Sequence, residues 1–150
     1  MSFSYKEPVE ICHKQEGLLV KYYRATLLAA IGRNRYLVRY ETRLNHSGTR
    51  LLTEPVDAEQ VRPLPPPGPY INFIISDRVD AYINNAWWVG KIARKVDPNY
   101  YVRLDYNGNE VHCAYYRVRL HLDWVDDKWV HLGSGTQNGE NQGNTSQQGS

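Results

Sequence analysis

The feature that most constrains this 150-residue chain is a pattern it contains twice. KYYRATLLA at 21–29 aligns with AWWVGKIAR at 86–94, setting Tyr22 on Trp87, Tyr23 on Trp88 and Ala25 on Gly90. RYLVRY at 35–40 aligns with YYVRL at 100–104, and EQVRPL at 59–64 with YRVRLH at 116–121. Each half is therefore an aromatic strand, a second aromatic strand and a closing Val-Arg element. Ordered self-similarity of this kind implies one supersecondary unit built twice.

Taken alone, residues 18–31 fit an amphipathic helix, because Leu18, Tyr22, Ala25 and Ala29 recur at helical spacing. The second copy argues for a strand. Gly90 sits inside it, β-branched residues flank the glycine, and Asn84-Asn85 and Asp97-Pro98-Asn99 bound it with turn signals. If the halves share a structure, the first copy is a strand too. Strands of about 4–8 residues between turn clusters describe an antiparallel all-β unit. Asn107-Gly108 predicts a two-residue hairpin turn with positive φ. Units of about 55 residues are too short for a sandwich, whereas a five-stranded SH3-like barrel encloses a core at that size.

RPLPPPGPY at 62–70 carries five prolines and cannot enter a sheet interior, so it separates the units. The expected organisation is a first domain at 5–64, a proline-rich linker at 65–70, a second domain at 71–132 and a disordered tail at 133–150. INFII at 71–75 is too apolar for a free linker and should pack against a barrel or between the two. The tail has no aliphatic or aromatic side chain after Leu132.

Charge says little about partners, since the formal net charge is only +2. The longest apolar run is five residues, Leu27 to Ile31, against the roughly 20 that a membrane helix needs. Cys12 and Cys113 have no CxxC spacing and are expected as reduced thiols of an intracellular protein. His13, His46, His112, His121 and His131 lack metal-ligand spacing, so no metal and no cofactor is expected. Cys113 follows His112 in a strand, where neighbours point to opposite faces, which disfavours a Cys/His nucleophile. The chain reads as a non-enzyme.

Aromatic residues are the remaining resource, with 12 tyrosines and 4 tryptophans. Ring faces beside carboxylates form a cage for a methylated ammonium, each good contact contributing roughly 0.5–2 kcal/mol. The competing account makes the same rings core residues of small barrels. One small barrel, however, cannot bury so many tyrosine hydroxyls without partners.

VDAYINNAWWVGKI, then YYV, then VRLHLDWVDDKWV closely resemble the second domain of the plant tandem Agenet proteins. VEI, YYRATLL, YLVRY, LLTEPV and VRPLPP upstream resemble the first domain, so the likeness covers about residues 7–130. Agenet domains belong to the Tudor-like Royal group. The resemblance implies two Tudor-like barrels in tandem, a nuclear location, and a reader of methylated lysine on a histone H3 tail at lysine 4 or lysine 9. Mapped onto this chain, it implies a cage in the first unit from Tyr23, with Tyr22 beside it, Tyr40 and Glu16, with Glu10 as a further carboxylate. Trp87 and Trp88 are secondary candidates, because Leu104 stands where the first unit has Tyr40. Glu41 and Glu54 join Glu10 and Glu16 in attracting a basic tail.

Two other classes compete. RNA or DNA would stack on exposed rings and pair with Arg33, Arg35, Arg39, Arg43, Arg94, Lys95 and Arg103. A scaffold without a cage would bind an unmodified or arginine-methylated motif.

Overall fold

The computed structural model describes residues 3–68 and 72–131. The tail at 133–150 and the end of the proline segment lie outside the described residues. The chain divides into two compact units, one of Met1–Pro66 with Asn84–Trp87, the other of Pro67–Ile83 with Trp88–Ser150.

The first unit contains β1 (Pro8–Gln15), β2 (Leu18–Ile31), β3 (Arg35–Leu44), β4 (Leu51–Asp57), a 3-10 turn at Ala58–Gln60 and β5 (Val61–Pro63). The order across the sheet is β5-β1-β2-β3-β4, every pair antiparallel. Val9, Ile11, Ala25, Val38, Tyr40, Val56 and Val61 form its core. Full burial of each large apolar side chain stabilises the unit by roughly 1.5–3 kcal/mol. The stretch 18–31, ambiguous by periodicity, is a strand.

The second unit repeats the plan with β6 (Arg78–Ile83), β7 (Ala86–Val96), β8 (Asn99–Leu104), β9 (Glu110–Cys113), a 3-10 turn at Tyr115–Arg117 and β10 (Val118–Leu120). Its order is β10-β6-β7-β8-β9. Its core gathers Val79, Ala81, Ile92, Tyr100, Val102, Leu104 and Val118 with Phe73. A small hairpin of β11 (Asp123–Val125) and β12 (Lys128–Val130) follows, with Trp124 and Trp129 rings 4.8 Å apart.

The duplication extends to register. Ala25 faces Tyr40 across β2 and β3, and Gly90 faces Leu104 across β7 and β8. Each long strand carries an irregularity at the same place, between Leu27 and Ala29 in one unit and Ile92 and Arg94 in the other. Such a bulge lets one strand bend and serve the sheet on both sides of the bend. That is why β2 reaches 14 residues and β7 reaches 11, beyond the expected strand length.

A buried ion pair is duplicated as well. Glu10 on β1 lies opposite Arg62 on β5, and Asp80 on β6 lies opposite Arg119 on β10. Arg62 Nη2 donates to Glu10 at 2.8 Å, and Arg119 Nε donates to Asp80 at 2.9 Å. The acid of the first strand and the arginine of the Val-Arg element thus clamp the closing strand in both units.

One turn expectation is corrected. Asn107-Gly108 does not make a two-residue turn, because Arg103 pairs with Glu110 and the loop between β8 and β9 spans 105–109. Gly108 does take positive φ (+74), but Asn107 instead accepts a hydrogen bond from the Asn109 amide at 2.9 Å. Within INFII, Phe73 packs into the second core, with its amide donating to the Tyr100 hydroxyl at 3.1 Å, whereas Ile74 and Ile75 are exposed.

Candidate functional site

Strand alternation sorts the first unit's tyrosines. Ile11 pairs with Tyr23 and Cys12 with Tyr22, so the adjacent tyrosines face opposite sides of β2. Tyr23 lies on the core side and remains half-buried at its edge. On the next strand Tyr40 is buried, and the two rings meet edge to face, 5.7 Å apart at 81°. His13, two residues beyond the core residue Ile11, adds a third ring 5.9 Å from Tyr23.

Glu54 completes the group. It shares one face of β4 with the core-facing Leu52 and Val56, and its carboxylate accepts the Tyr40 hydroxyl at 2.6 Å. Burial, reinforced by that hydrogen bond, raises the Tyr40 pKa well above its ordinary value and keeps the phenol a neutral donor. Burial, then the nearby Lys21 and Arg43 charges, lower the His13 pKa, so at neutral pH its ring is uncharged.

A cation already sits on these rings. The Arg43 guanidinium lies 4.5 Å from the Tyr23 centroid, 4.5 Å from the Tyr40 centroid and 3.9 Å from the Glu54 carboxylate. Simple alternation would point Arg43 away from Tyr40. The β3–β4 register, however, slips between Arg39 and Leu44, and this arch turns Arg43 back over the rings. Lys21 also approaches Tyr23, at 5.1 Å.

The structure brings Tyr23 and Tyr40 together and leaves the other candidates elsewhere. Tyr22 is 1% exposed beneath the Arg62 guanidinium, 3.7 Å from the ring centroid. Glu10 is buried on the same side, held by Arg62. Glu16 stands exposed in the β1–β2 turn at φ +53. Sequence reasoning assigned Glu54 only long-range attraction, Arg43 only phosphate binding, and His13 no site role. Period-2 alternation from Val56 and Ile11 was the signal for Glu54 and His13.

In the second unit Trp88 is half-buried and fixed by its indole N–H, which donates to the Ile83 carbonyl at 2.9 Å. Its ring lies 5.6 Å from that of Tyr106, tilted at 57°. Tyr106, two residues beyond Leu104, thus supplies a second ring that alignment with Tyr40 did not reveal. Trp87, the adjacent residue on β7, is half-buried on the other face.

Among the described residues, no three His, Cys, Asp or Glu side chains converge as a metal site. Both cysteines are thiols, and burial pushes Cys113 up to about 11.

Two five-stranded all-β units, one carrying an aromatic group closed on a cation, define a tandem of Tudor-like barrels. The Agenet domain model matches residues 7–66. Protein AGENET DOMAIN (AGD)-CONTAINING P1 of Arabidopsis thaliana is 31% identical over 131 residues, covering 86% of this chain and 25% of that protein. DUF724 domain-containing protein 3 of the same organism is 30% identical over 129 residues, covering 81% of this chain and 19% of its own. The crystal structure of Arabidopsis thaliana AGDP1 AGD34 superposes with a TM-score of 0.79 at 28% identity, covering 85% of this chain and 88% of that one. That of the ADCP1 tandem Agenet domain 3-4 gives 0.77 at 26%, covering 85% and 86%. The chain belongs to the plant tandem Agenet proteins. It spans about a quarter or less of these curated relatives' length.

Proposed function

We propose that the first unit is a chromatin reader that takes a methylated lysine of a histone H3 tail, at lysine 4 or lysine 9, between Tyr23 and Tyr40. The observation that carries this is the guanidinium already lodged against both rings and Glu54. A site that holds one weakly hydrated cation suits another. Methylated ammonium loses less hydration than unmodified lysine on entering, and the ring faces offer it the same attraction. Glu54, whose Oε2 accepts the Tyr40 hydroxyl and faces the Arg43 guanidinium, is the carboxylate of this cage in place of Glu10 and Glu16. The protein acts without catalysis or cofactor, in the nucleus.

Titration calorimetry with unmodified, mono-, di- and trimethylated H3 peptides at each lysine tests the proposal. At least one methylated peptide should bind more than tenfold tighter than its unmodified form, and Tyr23→Ala or Tyr40→Phe with Glu54→Gln should remove that preference. Equal affinities across the series would refute it.

Nucleic acid is the less favoured partner. Arg94 and Arg103, two of the candidate phosphate contacts, both pair with Glu110, and Arg24 pairs with Glu41, so part of the basic surface already has acidic partners. Phosphate binding would announce itself by steep weakening with salt.

A further inference from the structure

We infer that Arg43 is a built-in occupant of the Tyr23–Tyr40 site, and that every ligand of the site must first displace it. This deepens the methyl-lysine proposal and rests on it. Three contacts define the seat: two ring faces, each 4.5 Å from the guanidinium carbon, and the Glu54 carboxylate at 3.9 Å. These are the contacts a methylated ammonium would use. The two cations cannot share one ring corner, so binding is an exchange.

Local backbone makes the exchange feasible. The arch between Arg39 and Leu44 is anchored beyond its end by the Leu44–Leu51 pair. The loop that follows is braced by Asn45, whose amide donates to the Arg50 carbonyl at 2.8 Å and whose side-chain oxygen accepts the Thr49 amide at 3.0 Å. With the backbone held, Arg43 leaves by rotating its own long side chain, and no strand has to open. Its side chain is one-third exposed, so water lies beside the path. Glu54 stays behind, still accepting the Tyr40 hydroxyl, and faces the incoming charge.

Charge around the seat is mixed: Lys21 approaches Tyr23 from one side, and His13 is neutral at pH 7. Arg43 lies over both rings. The arrangement is specific to the first unit, since offsetting Arg43 by the repeat reaches Asn107. Displacement imposes one cost on methylated and unmodified peptides alike. Arg43 therefore sets absolute affinity, while the rings set the preference between methylation states.

The experiment compares the wild-type chain with Arg43→Ala and Arg43→Lys, using dimethylated and unmodified H3 peptides in calorimetry. It also follows the Arg43 Nε–H resonance during titration. Arg43→Ala should bind the dimethylated peptide roughly 5- to 20-fold tighter, with Arg43→Lys in between, because two cation–π contacts no longer compete. The ratio of methylated to unmodified affinity should stay within about twofold. In the free wild type the Nε–H should be shifted by the tyrosine rings, and peptide should return it to an ordinary solvated position. Equal or weaker binding by Arg43→Ala, or a resonance unmoved at saturation, overturns the inference and leaves the reader proposal standing. Absence of peptide binding by all three proteins overturns the reader proposal and this inference together. The resonance is measured on the wild type, so it decides even if a variant fails to fold.

Discussion

The two units carry the same frame and different edges. Both use a bulged long strand, an acid–arginine pair at the closing strand and a 3-10 turn before it. They differ where the second and third strands present rings. The first unit has Tyr23 against Tyr40, Glu54 beneath and Arg43 above, whereas the second has Trp88 against Tyr106, with Leu104 buried in the core. What is duplicated is what closes the barrel, and what differs is what a ligand would meet. Glu10 illustrates the distinction. As one acidic residue near aromatics it looked like a cage carboxylate, but its counterpart Asp80 marks it as part of the frame.

The sharpest way to break this comparison is to remove the frame's acids. Glu10→Ala should cost roughly 3–5 kcal/mol in urea denaturation because it strands the buried Arg62, and Asp80→Ala somewhat less because Arg119 keeps part of its side chain in solvent. A Glu10→Ala protein as stable as the wild type but unable to bind peptide would return Glu10 to the cage and end the equivalence.

Next comes a contrast in pH. The second unit extends its pair with His121, whose Nδ1 meets Asp80 at 2.7 Å and whose Nε2 meets Asp123 at 3.1 Å. The first unit has Leu64 at the matching place. Burial alone would lower the His121 pKa, but the hydrogen bonds and charges of Asp123 and Asp80 outweigh it and lift it to about 9. A raised folded-state value means the stabilisation is whole below the unfolded value of about 6.5 and is lost as pH rises through about 9. Stability should fall by roughly 2–3 kcal/mol between pH 6 and 10, and His121→Gln should flatten that fall. The same slope in both proteins would show that His121 does not carry the charge.

A smaller effect tests the shared register. Gly90 stands where the first unit has Ala25, and a Cβ there would strike the Arg103 carbonyl oxygen and lie 2.9 Å from Val102 Cγ1. Gly90→Ala should destabilise by about 2 kcal/mol, since two strands must part to admit the methyl. An unchanged melting curve would mean that the second unit is as open at this point as the first.

Legibility in the sequence followed the range of the interactions. Duplication, strand identity and the all-β class could be read directly, because turn residues and β-branched runs act locally and the second copy resolved the helical ambiguity of 18–31. Tyr23 and Tyr40 could be placed at one site only through the family resemblance, which implies rings at the start of the second strand and the end of the third. Tyr22 could not be separated from Tyr23 without knowing which face of β2 meets the core. Tyr106 and Arg43 were hidden for a different reason: one sits beyond its strand's end, and the other sits on an arch that reverses the expected parity.

The sequence alone determined that the chain is two copies of one small β unit, since a pattern repeated in order admits few other structures. Only the tertiary structure decided which carboxylate meets the closing-strand arginine and which the aromatic group. Glu10 and Glu54 are chemically alike, and their roles differ because pairing across strands puts Arg62 opposite one and the Tyr40 hydroxyl beside the other. Register between distant strands is set by packing the whole core, and no local stretch of residues encodes it.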